Sequence, residues 1–172
     1  MGEVNNIEPK VLLNKKYLPL YTSSTRYHIV TGGRGNAKSF HVADFLLKLT
    51  YEPNHIILFT RYVMKSADDS IIAEFIDKID RYDLEDVFDV KQAEIVNRLT
   101  GSKILFKGIK TSSGVQTASL KSLQGITTFV IDEAEELVDE DIFDKIDFSV
   151  RQVGVDNRVI MVMNPALRSH WI

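Results

Sequence analysis

The sequence predicts a mainly parallel α/β sheet flanked by helices, with its functional edge at the carboxyl ends of the strands. Three observations predict it. Short continuous apolar runs alternate with amphipathic segments, the runs end in polar or charged residues, and one run passes through a glycine-rich turn directly into a helix. In chain order, residues 1–26 read as a lead-in, with Asn14 to Leu20 as an apolar-basic patch. Tyr27 to Val30 is a buried strand, and Ser39 to Leu49 carries apolar residues at 42, 43, 46, 47 and 49, one face of a helix. His55 to Thr60, bounded by Pro53-Asn54, is a second buried strand. From Ser66 to Tyr82, Ile71, Ile72, Phe75, Ile76 and Ile79 recur at helical spacing, with acids opposite. Ala93 to Leu99 and Lys103 to Ile109 flank Thr100-Gly101-Ser102 as a β-hairpin, an insertion or an antiparallel edge, and Ser112 to Ser119 is a loop. Thr127 to Ile131 is a buried strand ending in Asp132-Glu133. A helix over 139–150 follows, then the strand Arg158 to Met163, stopped by Asn164-Pro165.

The turn after the first strand reads Thr31-Gly32-Gly33-Arg34-Gly35-Asn36-Ala37-Lys38-Ser39, followed by Phe40. Strand, glycine-rich turn and Lys-Ser at a helix start form the context of a phosphate-binding P-loop. Glycines let backbone N–H groups close around phosphate oxygens, and the helix N-terminus favours the anion. In that role Lys38 reaches the β- and γ-phosphates and Ser39 binds Mg²⁺. Ala37 stands where the motif has its last glycine, which restricts the backbone if the position needs a positive φ. A plain strand-to-helix turn with Lys38 exposed is the competing reading.

At 172 residues, with 44% hydrophobic and 26% charged residues, the chain is expected to form one globular domain with a substantial core. No run approaches the length of a membrane span, and MGEVNNIEPK lacks a signal-peptide pattern. With no cysteine there is neither disulfide nor thiolate metal site, and His28, His41, His55 and His170 show no ligand spacing. A reducing, cytoplasmic setting fits these features. Charge is uneven along the chain. Between 91 and 125, Lys91, Arg98, Lys103, Lys107, Lys110 and Lys121 face a single acid, Glu94, whereas 132–147 carries nine acids against Lys145. These are either two solvated faces or, for the segment Lys103 to Lys121, a surface for DNA or a neighbouring subunit.

"TTFVIDEAEEL" puts two carboxylates just past a buried strand, the Walker B position of a P-loop ATPase. There Asp132 holds Mg²⁺ and Glu133 orients or deprotonates the water attacking the γ-phosphate. An acidic helix start would give the same letters, but a P-loop upstream makes the two halves of one metal-nucleotide site occur in order. In "VIMVMNPA", Asn164 lies at the same sheet edge, either to bond the γ-phosphate or its water, or as an Asn-Pro turn. Arg34 inside the loop and Arg61 after the second strand are candidates to stabilise transition-state charge. Arg98, Arg151 and Arg158 are candidates for donation to a neighbour.

The blocks "GGRGNAKS", "FTRYVMKSADDSIIAEF", "SLKSLQGITTFVIDEAEEL" and "MNPALRSHWI", in this order, resemble the ATPase domain of the large terminase subunit of tailed bacteriophages, from about residue 27 to the end. That family's loop commonly has a small residue at the place of Ala37. Its Walker B ends in an acid pair, like Asp132-Glu133, and its coupling motif ends in Asn-Pro, like Asn164-Pro165. A His-Trp pair such as His170-Trp171 often follows. The resemblance implies a RecA-like fold of the additional-strand class for 27–172 and a lead-in, 1–26, that contributes to the nucleotide pocket, with Tyr17, Leu18 and Pro19 as candidate adenine contacts. It implies ATP hydrolysis with Mg²⁺ to translocate double-stranded DNA into a procapsid. The partners would be the portal protein, a small terminase subunit and further copies in a homo-oligomeric ring, in the host cytoplasm at the procapsid portal. In the family an RNase H-like nuclease domain follows. The sequence stops at Ile172, so cleavage is not expected of this chain, and turnover by the domain alone is expected to be weak if a neighbour supplies an arginine. A helicase-like nucleic-acid motor and a nucleotide-gated assembly module without turnover are the rival readings.

Overall fold

The computed structural model describes residues 13–63, 67–111, 114–115, 120, 123–166 and 168–172. A 3₁₀ turn at Lys15–Tyr17 and the one-turn helix α1 (Pro19–Thr22) lead into β1 (Tyr27–Thr31), α2 (Lys38–Leu49), β2 (Ile56–Val63) and α3 (Ala67–Arg81). Then come β3 (Phe88–Val90), β4 (Glu94–Asn97), β5 (Lys103–Thr111), β6 (Gly114–Val115), β7 (Thr128–Asp132), a 3₁₀ turn at Ala134–Glu136, α4 (Glu140–Asp147) and β8 (Arg158–Met163). The strands form one sheet in the order β1-β8-β7-β2-β5-β4-β3, with β6 beside β5. The first five of these are mutually parallel, while β4, β3 and β6 pair antiparallel.

Side-chain alternation along the strands divides the core into two halves. On one face Ile57, Phe59, Ile104, Phe106, Val130, Ile160 and Val162 pack under α2 and α3. On the other, Leu58, Phe129, Ile131, Val159, Met161 and Met163 pack under α4 and its flanking turns. All five residues of β7 are buried, as expected of a parallel strand covered on both faces. Phe59, Phe75 and Phe106 meet with ring centroids 5.3 to 5.8 Å apart and fix α3 to β2 and β5.

The hairpin of 93–109 forms, and its second strand is a full member of the parallel core: β5 pairs with β2 from Ile56↔Lys103 to Val63↔Lys110. The antiparallel margin consists of β4 and β3, with the short β6 beside β5. The expected loop over 112–119 falls largely outside the described residues, as does residue 121.

The start of the basic run is matched by acids. Lys91 pairs with Glu94 and Asp89, and Arg98 approaches Asp89 at 3.9 Å. Lys103 and Lys107 alternate with Ile104 and Phe106 along β5, and Lys110 Nζ lies 5.8 Å from the Tyr62 ring centroid.

Candidate functional site

Parallel register brings the expected site residues to one edge. Arg61 is opposite Asp132, Asp132 opposite Val162, and Met163 opposite Thr31, so Asn164 lies one residue beyond the strand that borders the glycine loop. A cavity of about 450 Å³ opens there, within the range of small-molecule sites. Its lining includes Arg34 through Phe40, Arg61, Glu74, Asp132, Glu133, Glu135, Glu136 and Asn164. Gly32 and Gly33 border it through their carbonyls, which hold the lysine of the loop.

The loop is folded around that lysine. Lys38 Nζ donates to the Gly32 carbonyl at 2.7 Å, the Gly33 carbonyl at 3.0 Å and Asn164 Oδ1 at 3.1 Å. The residue before α2, Ala37, is left-handed at φ 54°, and so is Gly35 at φ 79°. Position 37 therefore does require a positive φ, and an alanine adopts it at some strain. The lead-in braces the loop from outside. The Tyr17 hydroxyl donates to the Asn36 carbonyl, and Lys16 Nζ donates to the Thr31 carbonyl at 3.2 Å. Tyr17 is 3% exposed and its ring stacks on His41 at 4.4 Å, so it is a core brace and not an open platform for a base; Leu18 and Pro19 are exposed.

Across the cavity, Arg61 donates from Nη2 and Nε to Asp132 Oδ2 at 2.6 and 3.0 Å, and its Nε lies 3.4 Å from Glu133 Oε2. Arg61 thus holds the Asp132 carboxylate and is not aimed at open space, whereas Arg34 is exposed on the cavity lining. Arg98 and Arg158 are paired with Asp89 and Asp156, and neither they nor Arg151 line the cavity. Glu133 leaves β7 with a left-handed backbone, φ 55°, a strained geometry of the kind found at functional sites. Burial pushes its pKa above the ordinary glutamate value, with Asp132, Glu136 and Glu135 adding to the rise and Arg61 opposing it.

Two acids join the site that sequence reasoning missed. Glu74 of α3 lines the cavity, and burial raises its pKa too. It sits on the polar side of an amphipathic helix, where a site carboxylate looks like any solvated one. One turn on, Lys78 is fully buried, 3.1 Å from Asp44 Oδ1 and 3.0 Å from the centroid of Phe40, which ties α3 to the first turn of α2. The second is Glu135, whose Oε1 accepts from Asn164 Nδ2 at 2.7 Å. Its only sequence signal is its place two residues after Glu133.

Comparison with known proteins matches this geometry to a family. Residues 24–172 match the family described as phage terminase large subunit. The chain belongs to that family. The large subunit of the PBSX phage terminase of Bacillus subtilis (strain 168) is 30% identical over 147 residues, covering 84% of this chain and 32% of the relative. The chain thus spans about a third of that terminase's length. The large terminase of a thermophilic bacteriophage superposes with a TM-score of 0.70 at 15% identity, over 91% of this chain and 40% of that one. The complex of the same terminase with ATP-gamma-S gives 0.68 at 14%, over 91% and 39%. The N-terminal domain of the DNA packaging ATPase from bacteriophage phi29 gives 0.61 at 16%, over 91% and 80%. At these identities the structural likeness establishes the fold, the RecA-like P-loop sheet of terminase ATPase domains. In this terminase chain the His170-Trp171 pair packs behind the turn that follows β7: Trp171 Nε1 donates to the Leu137 carbonyl at 2.6 Å, and its ring lies 5.0 Å from Phe143.

Proposed function

We propose that the chain is the ATPase domain of a phage DNA-packaging motor, which hydrolyses ATP to drive double-stranded DNA into a procapsid. The observation that carries the reading is the convergence of Lys38, Asp132, Glu133 and Asn164 on one cavity at the carboxyl edge of the sheet. Lys38 and the backbone of Gly32 to Phe40 would take the phosphates. Among the described residues no group of three acids or histidines is placed to hold a metal ion by itself, and Arg61 engages Asp132, so a divalent cation would need the phosphates to complete its shell, as Mg²⁺ commonly does. Ser39 and Asp132 would hold Mg²⁺, which when bound offsets phosphate charge. Glu133, with its raised pKa, suits the task of taking a proton from water. Arg34, and Arg61 once released from Asp132, would stabilise charge in the transition state, and Asn164 would report the γ-phosphate.

The phi29 DNA packaging ATPase and the Phi-28 gp11 DNA packaging motor among the structural neighbours support a motor acting on DNA. In this reading the chain would work as a ring of copies at the portal, with a small terminase subunit, in the host cytoplasm. The test measures nucleotide binding and hydrolysis with DNA present. Lys38→Ala should abolish binding, and Glu133→Gln should abolish turnover while binding survives. Turnover that persists in Glu133→Gln refutes the assignment, and binding without any Glu133-dependent turnover, partners included, makes the chain a nucleotide-gated assembly module.

A further inference from the structure

We infer that Glu135 is a positioning residue that fixes which end of the Asn164 amide faces the phosphate site. The inference rests on the nucleotide-binding reading above. Asn164 is bonded at both ends: Oδ1 accepts from Lys38 Nζ at 3.1 Å, and Nδ2 donates to Glu135 Oε1 at 2.7 Å. The amide cannot be turned round, since an ammonium only donates and a carboxylate only accepts. Reversal would set NH₂ against NH₃⁺ and a carbonyl against a carboxylate.

Glu135 is correspondingly dedicated to this contact. Its second oxygen, Oε2, is buried and has no hydrogen-bond partner among the described residues, so the bond to Asn164 is what orients its carboxylate. The chain Lys38–Asn164–Glu135 therefore joins the glycine loop, the end of β8 and the turn after β7, three segments anchored to different strands. The consequence for recognition is specific. Asn164 presents its acceptor to the Lys38 side of the cavity, where it shares Lys38 or accepts from a water, and Glu135 takes one of the two N–H donors at its other end. A γ-phosphate that takes Lys38 displaces one of its three acceptors, of which Asn164 Oδ1 is the most distant, and Glu135 then holds the freed carbonyl in place.

The test uses the 172-residue chain with Glu135→Leu, Glu135→Gln, Asn164→Asp and the double variant Asn164→Asp/Glu135→Gln. Thermal midpoints without nucleotide are read first. With Asn164 present, glutamate at 135 should equal or exceed glutamine and both should exceed leucine. In the Asn164→Asp background two carboxylates face each other, so glutamine at 135 should now exceed glutamate. The second readout is the ratio of ADP to ATP-γ-S dissociation constants. Glu135→Leu should lower it about tenfold, the size of a coupling between directly bonded groups, and Glu135→Gln should restore most of it. Equal effects of Glu135→Gln in both backgrounds, or an unchanged ratio in Glu135→Leu, overturn the inference. A wild-type chain that binds neither nucleotide overturns the proposed function instead, and the thermal cycle then still decides whether the pair is coupled.

Discussion

Replacing Arg61 by methionine keeps the aliphatic stem and removes the guanidinium from Asp132. The bonds lost are those of 2.6 and 3.0 Å to Oδ2, and the carboxylate left behind is 5% exposed. Breaking a buried pair by removing one partner costs about 3–5 kcal/mol. Arg61 itself is 19% exposed, so water recovers part of that, which puts the loss at about 2–3 kcal/mol. At roughly 2–4 °C per kcal/mol for a domain of this size, the thermal midpoint should fall by about 4–12 °C. The same substitution removes a fixed positive charge from beside the proposed metal ligand. Magnesium chloride alone, added without nucleotide, should therefore raise the midpoint of Arg61→Met by more than it raises that of the unaltered chain. Differential scanning calorimetry with and without the salt measures both. A variant that melts within about 1 °C of the parent, or one that magnesium stabilises less, refutes the reasoning.

Three further outcomes are expected. Ala37→Gly relieves a left-handed alanine worth about 1–2 kcal/mol but adds about 0.4–1 kcal/mol of unfolded-chain entropy, so denaturant unfolding should show a small net gain, while Ala37→Val should lose stability. Glu133 has a raised folded pKa, so the folded state binds more protons than the unfolded one between the unfolded and folded values, and stability falls as pH rises through that window. Glu133→Gln should accordingly melt higher than the parent at neutral pH, and the acid limb of the parent's hydrolysis profile should lie above the ordinary glutamate value. Tyr17→Phe deletes the hydroxyl that braces the Asn36 carbonyl, and should cost about 1 kcal/mol of stability and weaken nucleotide binding in a fluorescence titration.

The parallel core was legible because each buried strand announces itself as a continuous apolar run; β8 spans the residues read from the sequence, and β1, β2 and β7 differ by one to three positions. Strand β3 was not, since Phe88–Val90 is too short to show a period and exists through its partner β4. The hairpin was recognised, but nothing local says that β5 lies beside β2, because that register is a long-range pairing. Local letters locate Lys38, Asp132, Glu133 and Asn164 at strand ends. They do not reveal that Arg61 is held by Asp132 or that Glu135 bonds Asn164, as both depend on where three strands end relative to one another. Nor does the basic run show from its letters that Lys91 and Arg98 are matched with Asp89 and Glu94.

The glycine loop hangs from β1, the outermost strand, whose backbone is laddered to β8 alone among the described residues, whereas the acidic half of the cavity hangs from β7, gripped by neighbours on both flanks. One jaw of the clasp is thus mounted on a free margin and the other on fixed masonry. Displacement on nucleotide exchange should be borne by the marginal jaw, and deuterium uptake along β1 should respond to ligand while that along β7 stays silent.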